Sequence, residues 1–88
     1  MGMFSEPIQV GRSVRVRDFS ELERKYGLTC YGNIDTNPVF TKEQEQYCGF
    51  CFQVDHVYDN EVYLSDTSGL FDEEICDYGF PKESLVVL

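Results

Sequence analysis

The chain contains no tryptophan, a single histidine, three prolines, and seven basic side chains against sixteen acidic ones. Each shortage removes something. With His56 as the only imidazole, any Cys–His or Ser–His mechanism has to run through that residue. With so few Lys and Arg and a net charge of −9, the chain is not expected to bind a nucleic-acid backbone directly, because such binding depends on basic clusters. No aliphatic run exceeds Leu85–Leu88, and Met1–Gly11 has neither a basic segment nor an apolar stretch. We therefore expect no transmembrane helix, no secretory signal, no membrane partner and a cytoplasmic location. Gly27, Gly32, Gly49, Gly69 and Gly79 stand singly, which excludes a glycine-rich phosphate loop.

What is present argues for a folded domain. The composition is 42% apolar and 15% aromatic, too rich for a disordered chain. Eighty-eight residues is about half of the ~150 that serves as a domain prior, so residues 1–88 read as one domain with one modest core.

Charge is unevenly placed. Residues 1–25 hold five basic and four acidic side chains, so residues 26–88, with two basic and twelve acidic, carry −10. From Asp55 to Asp77 there are eight carboxylates and no Lys or Arg. Such a stretch either keeps a small protein soluble or steers a basic partner into contact.

Alternation dominates the hydrophobic pattern. Ile8, Val10, Val14 and Val16 share one parity, predicting a half-buried strand with Arg15 and Arg17 outward. Ser20-Glu21-Leu22-Glu23 has a capping-box pattern and predicts a short helix from about Glu21 to Tyr26, closed by Gly27. Gly27–Val39 reads as a loop, and Thr41-Lys42-Glu43-Gln44 opens a second short helix ending at Cys48-Gly49, with Phe40 and Tyr47 turned inward. Phe50, Phe52 and Val54 then alternate with polar positions, and the parity slips at Val57, predicting a bulge near Asp55-His56. Asp59-Asn60 is a two-residue hairpin turn into Glu61–Leu64, with Val62 and Leu64 inward. A loop over Thr67–Tyr78, Pro81 and a terminal strand at Leu85–Leu88 complete a mainly β chain. Four to five short antiparallel strands with two short helical insertions fit a small bent barrel.

Val10-Gly11, Val14-x-Val16-Arg17, Tyr26-Gly27, Tyr47-x-Gly49, Phe52-x-Val54-x-x-Val57, Val62-x-Leu64 and the ending Gly79-Phe80-Pro81-Lys82-Glu83-Ser84-Leu85-Val86 resemble small Src-homology-3-like (SH3-like) barrel proteins. Such proteins are encoded by phages, prophages and Gram-positive bacteria, and most have no assigned activity. The resemblance implies a small SH3-like β-barrel. The chain departs from it in lacking tryptophan and an aromatic-rich acidic first strand, so a groove for proline-rich peptides is not carried over. It also has a longer acidic loop between Asp66 and Tyr78.

Candidate chemistry is sparse. Cys48-Gly49-Phe50-Cys51 has the spacing of a zinc or redox pair, but Cys30, Cys76 and His56 are the only sulfur or imidazole partners left. We expect reduced thiols, no metal and no cofactor. His56 sits in a predicted strand beside Asp55, and Glu73-Glu74 reads as solvated, so no catalytic residue is assigned and the chain is not expected to be an enzyme. Tyr58 and Tyr63 flank the hairpin turn. They are expected to complete a core short of tryptophan, the alternative being rings that bind peptides or methylated cations. Tyr31, Phe71 and Tyr78 lie in loops, where exposed rings suit partner contact.

The reading is a non-catalytic module that binds another protein, its partner-facing surface formed by Asp55, Asp59, Glu61, Asp66, Phe71, Asp72, Glu73, Glu74, Asp77 and Tyr78. The expected partner is basic, or itself a nucleic-acid-binding protein. One alternative is an acidic mimic of nucleic acid that inhibits a host defence protein, such as a CRISPR or restriction component, or a transcription protein. A cysteine-ligated zinc module is a weaker alternative.

Overall fold

Alternating apolar residues build one antiparallel sheet around a core of large rings. The computed structural model describes residues 8–71 and 73–88, and for Glu73 the backbone only. Strand β1 is Ser13–Val16, β2 Cys51–Tyr58, β3 Glu61–Ser65, β4 Phe80–Pro81 and β5 Leu85–Val87. Helix α1 spans Phe19–Tyr26, and short 3-10 turns cover Lys42–Tyr47, Glu73–Asp77 and Lys82–Ser84. The strands run in the order β4-β3-β2-β1-β5, with β4 and β5 as the edges of an open sheet. No helix among the described residues is long and apolar enough to cross a membrane.

Register follows the expected parity. Val14 pairs with Phe52, and Val54 with Leu64. Val14, Val16, Phe52, Val54, Val62 and Leu64 are all buried. The ladder slips between Val54 and His56, a bulge at the predicted place, and Asp59-Asn60 closes the hairpin with Asp59 at a left-handed φ of 49°.

The departures have local causes. Val10, expected inward, lies before β1 and is 66% exposed. Phe50, expected to share the inward face with Phe52, is exposed, because β2 begins only at Cys51. Helix α1 starts at Phe19 rather than Glu21, and its N-cap is Asp18, so Ser20 lies within the first turn and forms no capping box. Phe19 packs on Phe40 with ring centroids 6.1 Å apart, which draws the helix start toward the core. Gly27 closes the helix at φ 78°, its N–H bonded to Glu23 O at 2.8 Å.

The second helix is a 3-10 segment. Its cap forms as expected, with Thr41 N–H donating to Gln44 Oε1 at 2.8 Å. Gln44 is buried, and its Nε2 donates to Gly79 O at 3.2 Å, so one amide both caps the turn and ties it to the entry of β4. Tyr47 is the hub of the ring cluster. It is buried, with Phe71, Tyr78, Phe52 and Phe80 at centroid distances of 5.1, 5.8, 5.9 and 5.9 Å. Ile34 and Ile75 also enter the core, both from segments read as loops.

Candidate interaction surface

The hairpin turn fixes which side chains leave the sheet together. A two-residue turn places Tyr58 opposite Glu61, Val57 opposite Val62 and His56 opposite Tyr63. Since Val62 and Leu64 face the core, His56, Tyr58 and Tyr63 share the outer face. His56 stacks on Tyr63 at 4.7 Å with 16° between the planes. Tyr58 stands nearly perpendicular to both, at 5.1 Å from His56 and 6.2 Å from Tyr63. The expectation that Tyr58 and Tyr63 complete the core is therefore corrected. Tyr63 lies outside the core cluster because it alternates with Val62 and Leu64 on β3, and Tyr58 is 63% exposed because the bulge at Asp55 resets the parity of β2.

Three expected site residues frame these rings. Exposed Asp55 bonds His56 Nδ1 through Oδ2 at 2.9 Å. Glu61 Oε2 accepts from Tyr63 Oη at 3.3 Å, and the Tyr63 phenol is raised above its ordinary value, by desolvation first and then by the charge of Glu61. Asp59, at the turn, is exposed and has no hydrogen-bond or ion-pair partner among the described residues. Beside it, an open depression of about 680 Å³ is lined by Tyr58, Asp59, Asn60 and Glu61 together with Asn37, Pro38 and Lys82.

The remaining expected residues form a second group. Asp66 turns both oxygens into its own loop. Its Oδ1 accepts from the Ser68 N–H at 2.9 Å and the Ser68 hydroxyl at 2.6 Å, and its Oδ2 accepts from the Phe71 N–H at 2.7 Å. These bonds, the Ser68 hydroxyl foremost, hold its carboxyl below the usual 3.8. Phe71 and Tyr78, expected as exposed partner contacts, are half-buried against Tyr47, and Phe71 also touches Phe50 and Phe52 at 5.1 and 5.6 Å. Glu74 and Asp77 are exposed and, with Ser65, Asp66, Phe71 and Ile75, line an open depression of about 790 Å³. Asp72 and the side chain of Glu73 lie outside the described residues. Tyr31 is 85% exposed on a loop far along the chain from either group.

The structure thus splits the acidic stretch in two. Sequence reasoning missed His56 as a member of the ring cluster, although pairing counted outward from the Asp59-Asn60 turn sets it opposite Tyr63. None of Cys30, Cys48, Cys51 and Cys76 is in a disulfide. Half-burial pushes the Cys48 thiol up to about 11, with Glu45 and Asp18 adding to the shift, whereas Cys51 is exposed. Among the described residues no group of three or more His, Cys, Asp or Glu is arranged to hold a metal ion. On the basic side, Arg17 Nη1 donates to Glu21 Oε2 at 2.8 Å. No family model, no curated protein and no solved structure matches the chain.

Proposed function

We propose that the chain is a non-catalytic protein-binding domain, an SH3-like barrel of the kind phages and Gram-positive bacteria encode, which presents an acidic and aromatic hairpin face to a basic partner. The observation that carries this reading is the outward cluster of His56, Tyr58 and Tyr63 framed by Asp55, Asp59 and Glu61, where no Lys or Arg forms an ion pair among the described residues. Rings supply contact area at low entropy cost, and exposed carboxylates, which here outnumber the one lysine (Lys82) lining the same depression, raise the encounter rate with a cation. The barrel reading draws support from the strand order and from the 3-10 turn Lys82–Ser84 immediately before β5. A non-catalytic role is favoured by the surroundings of the one imidazole, His56, whose contacts are a carboxylate and two phenol rings rather than a thiol or an aliphatic hydroxyl.

A second reading, an acidic mimic of nucleic acid on a host defence or transcription protein, is favoured by the exposure of Asp55, Asp59, Glu74 and Asp77. One experiment addresses both. The immobilised chain and its Asp55→Asn/Asp59→Asn/Glu61→Gln variant are exposed to a lysate of the native host, with and without duplex DNA as competitor. Proteins held by the parent and lost from the variant support the hairpin reading, and identical captured sets overturn it. Release of the captured protein by DNA points to the mimic, and retention in DNA points to a partner bound elsewhere than its nucleic-acid site.

A further inference from the structure

We propose that the hairpin face is selective for arginine over lysine, the guanidinium of a basic peptide segment lying on the Tyr58 ring and pairing with the carboxylate of Asp59. The proposal rests on the reading of this face as a protein-binding surface and adds the chemistry of what it takes.

The three carboxylates are not equivalent. Asp55 is engaged by His56 and Glu61 by Tyr63, so each already accepts a hydrogen bond from its own chain. Asp59 has no such partner among the described residues and directly follows the most exposed ring of the cluster. Tyr58 and Asp59 line one open depression at the hairpin apex, whose lining also includes a single lysine, Lys82.

The rings are also held in place. Tyr58 meets His56 at 81° and Tyr63 at 85°, so the stacked pair contacts it edge-to-face and limits its rotation. An exposed ring held by its neighbours loses little freedom when a ligand covers it. Among cationic side chains, a planar, weakly hydrated guanidinium can stack on such a face while its edge N–H groups reach a carboxylate. An ammonium has to choose between its hydration shell and the ring, so it gains the charge but little of the stacking.

The test is an amide NMR titration of the full chain with a short Gly/Ser peptide carrying arginines, and with its lysine and citrulline counterparts. The arginine peptide is expected to shift resonances of residues 55–63 and to bind about two- to fivefold more tightly than the lysine peptide, the citrulline peptide showing no saturable binding. Tyr58→Leu keeps bulk but removes the π face, and should bring the two affinities together; Asp59→Asn should weaken both. Equal affinity for arginine and lysine in the parent, or an arginine preference that survives Tyr58→Leu, overturns the proposal while leaving a basic-partner surface intact. If the arginine peptide shifts only residues 66–78, or none at all at low salt, the hairpin reading itself falls and the proposal with it. Because Tyr58 and Asp59 are exposed, both variants are expected to retain the parent's dispersed spectrum.

Discussion

The β2–β3 hairpin and the loop from Asp66 to Tyr78 have the same ingredients, carboxylates interleaved with aromatic rings, and use them in opposite ways. In the hairpin the ladder decides. Val62 and Leu64 must face the core, so His56, Tyr58 and Tyr63 are forced outward together and the acids remain beside them. In the loop no ladder constrains the side chains, and packing decides: Phe71 and Tyr78 fall onto Tyr47, while Asp66 is spent on the loop's own N–H groups. Similar composition therefore gives a presented surface in one region and a core cover in the other.

The largest effect expected sits beneath both. Phe52→Ala removes a buried ring between β1 and the Tyr47 cluster and should cost about 3–5 kcal/mol, enough to unfold much of a domain this small. A thermal melt like the parent's would show the core assignment to be wrong. The comparison itself is sharpened one step down. Phe71→Ala, which strips a half-buried ring from three aromatic neighbours, should destabilise by about 1–3 kcal/mol, whereas Tyr58→Ala should stay within about 0.5 kcal/mol. Urea denaturation of the two variants side by side breaks the distinction if their order is reversed.

Much of this division was legible in the alternation of three segments. Val14 with Val16, Phe52 with Val54 and Val62 with Leu64 report the inner face, and the parity slip at Val57 locates the bulge. The fate of the outward rings follows from the same rule, once pairing is counted from the turn rather than from the start of β2. Other parts were hidden for physical reasons. Ile34 and Ile75 are single apolar residues among turn formers, so no period marks them; Ile34 is held by bridges to Leu28 and Phe40 that join distant positions of one loop. Phe71 and Asp66 look from sequence like any exposed ring and acid, because what claims them, the Tyr47 cluster and the loop's own amides, is set by the folded geometry.

The loop should also differ from the hairpin in its response to acid. The folded-state pKa of Asp66 is depressed, so its contribution is present above the unfolded value and is lost as pH falls through the folded one. Hydrogen-exchange protection of the Ser68 and Phe71 amides, taken relative to their intrinsic rates, should therefore fall as the pH drops below the usual carboxylate range and through the depressed folded-state value. Asp66→Asn should exchange quickly at every pH, and a variant that matches the parent would remove the carboxylate from its role as the loop's clasp. A smaller effect concerns the thiols. With its pKa pushed up to about 11 and its side chain partly buried, Cys48 should be alkylated by iodoacetamide more slowly at pH 8 than exposed Cys30, Cys51 and Cys76, as peptide mass mapping would read.

The account's central claim is that the hairpin, and not the loop, faces the partner. Stopped-flow association of the arginine peptide, followed across ionic strength, compares the Asp55→Asn/Asp59→Asn/Glu61→Gln variant with Glu74→Gln/Asp77→Asn. At low salt the hairpin variant should associate about tenfold more slowly than the parent and show a flattened salt dependence, while the loop variant stays within about twofold. A loop variant that slows as much as the hairpin variant, or a hairpin variant that keeps the parent's rate, contradicts the account.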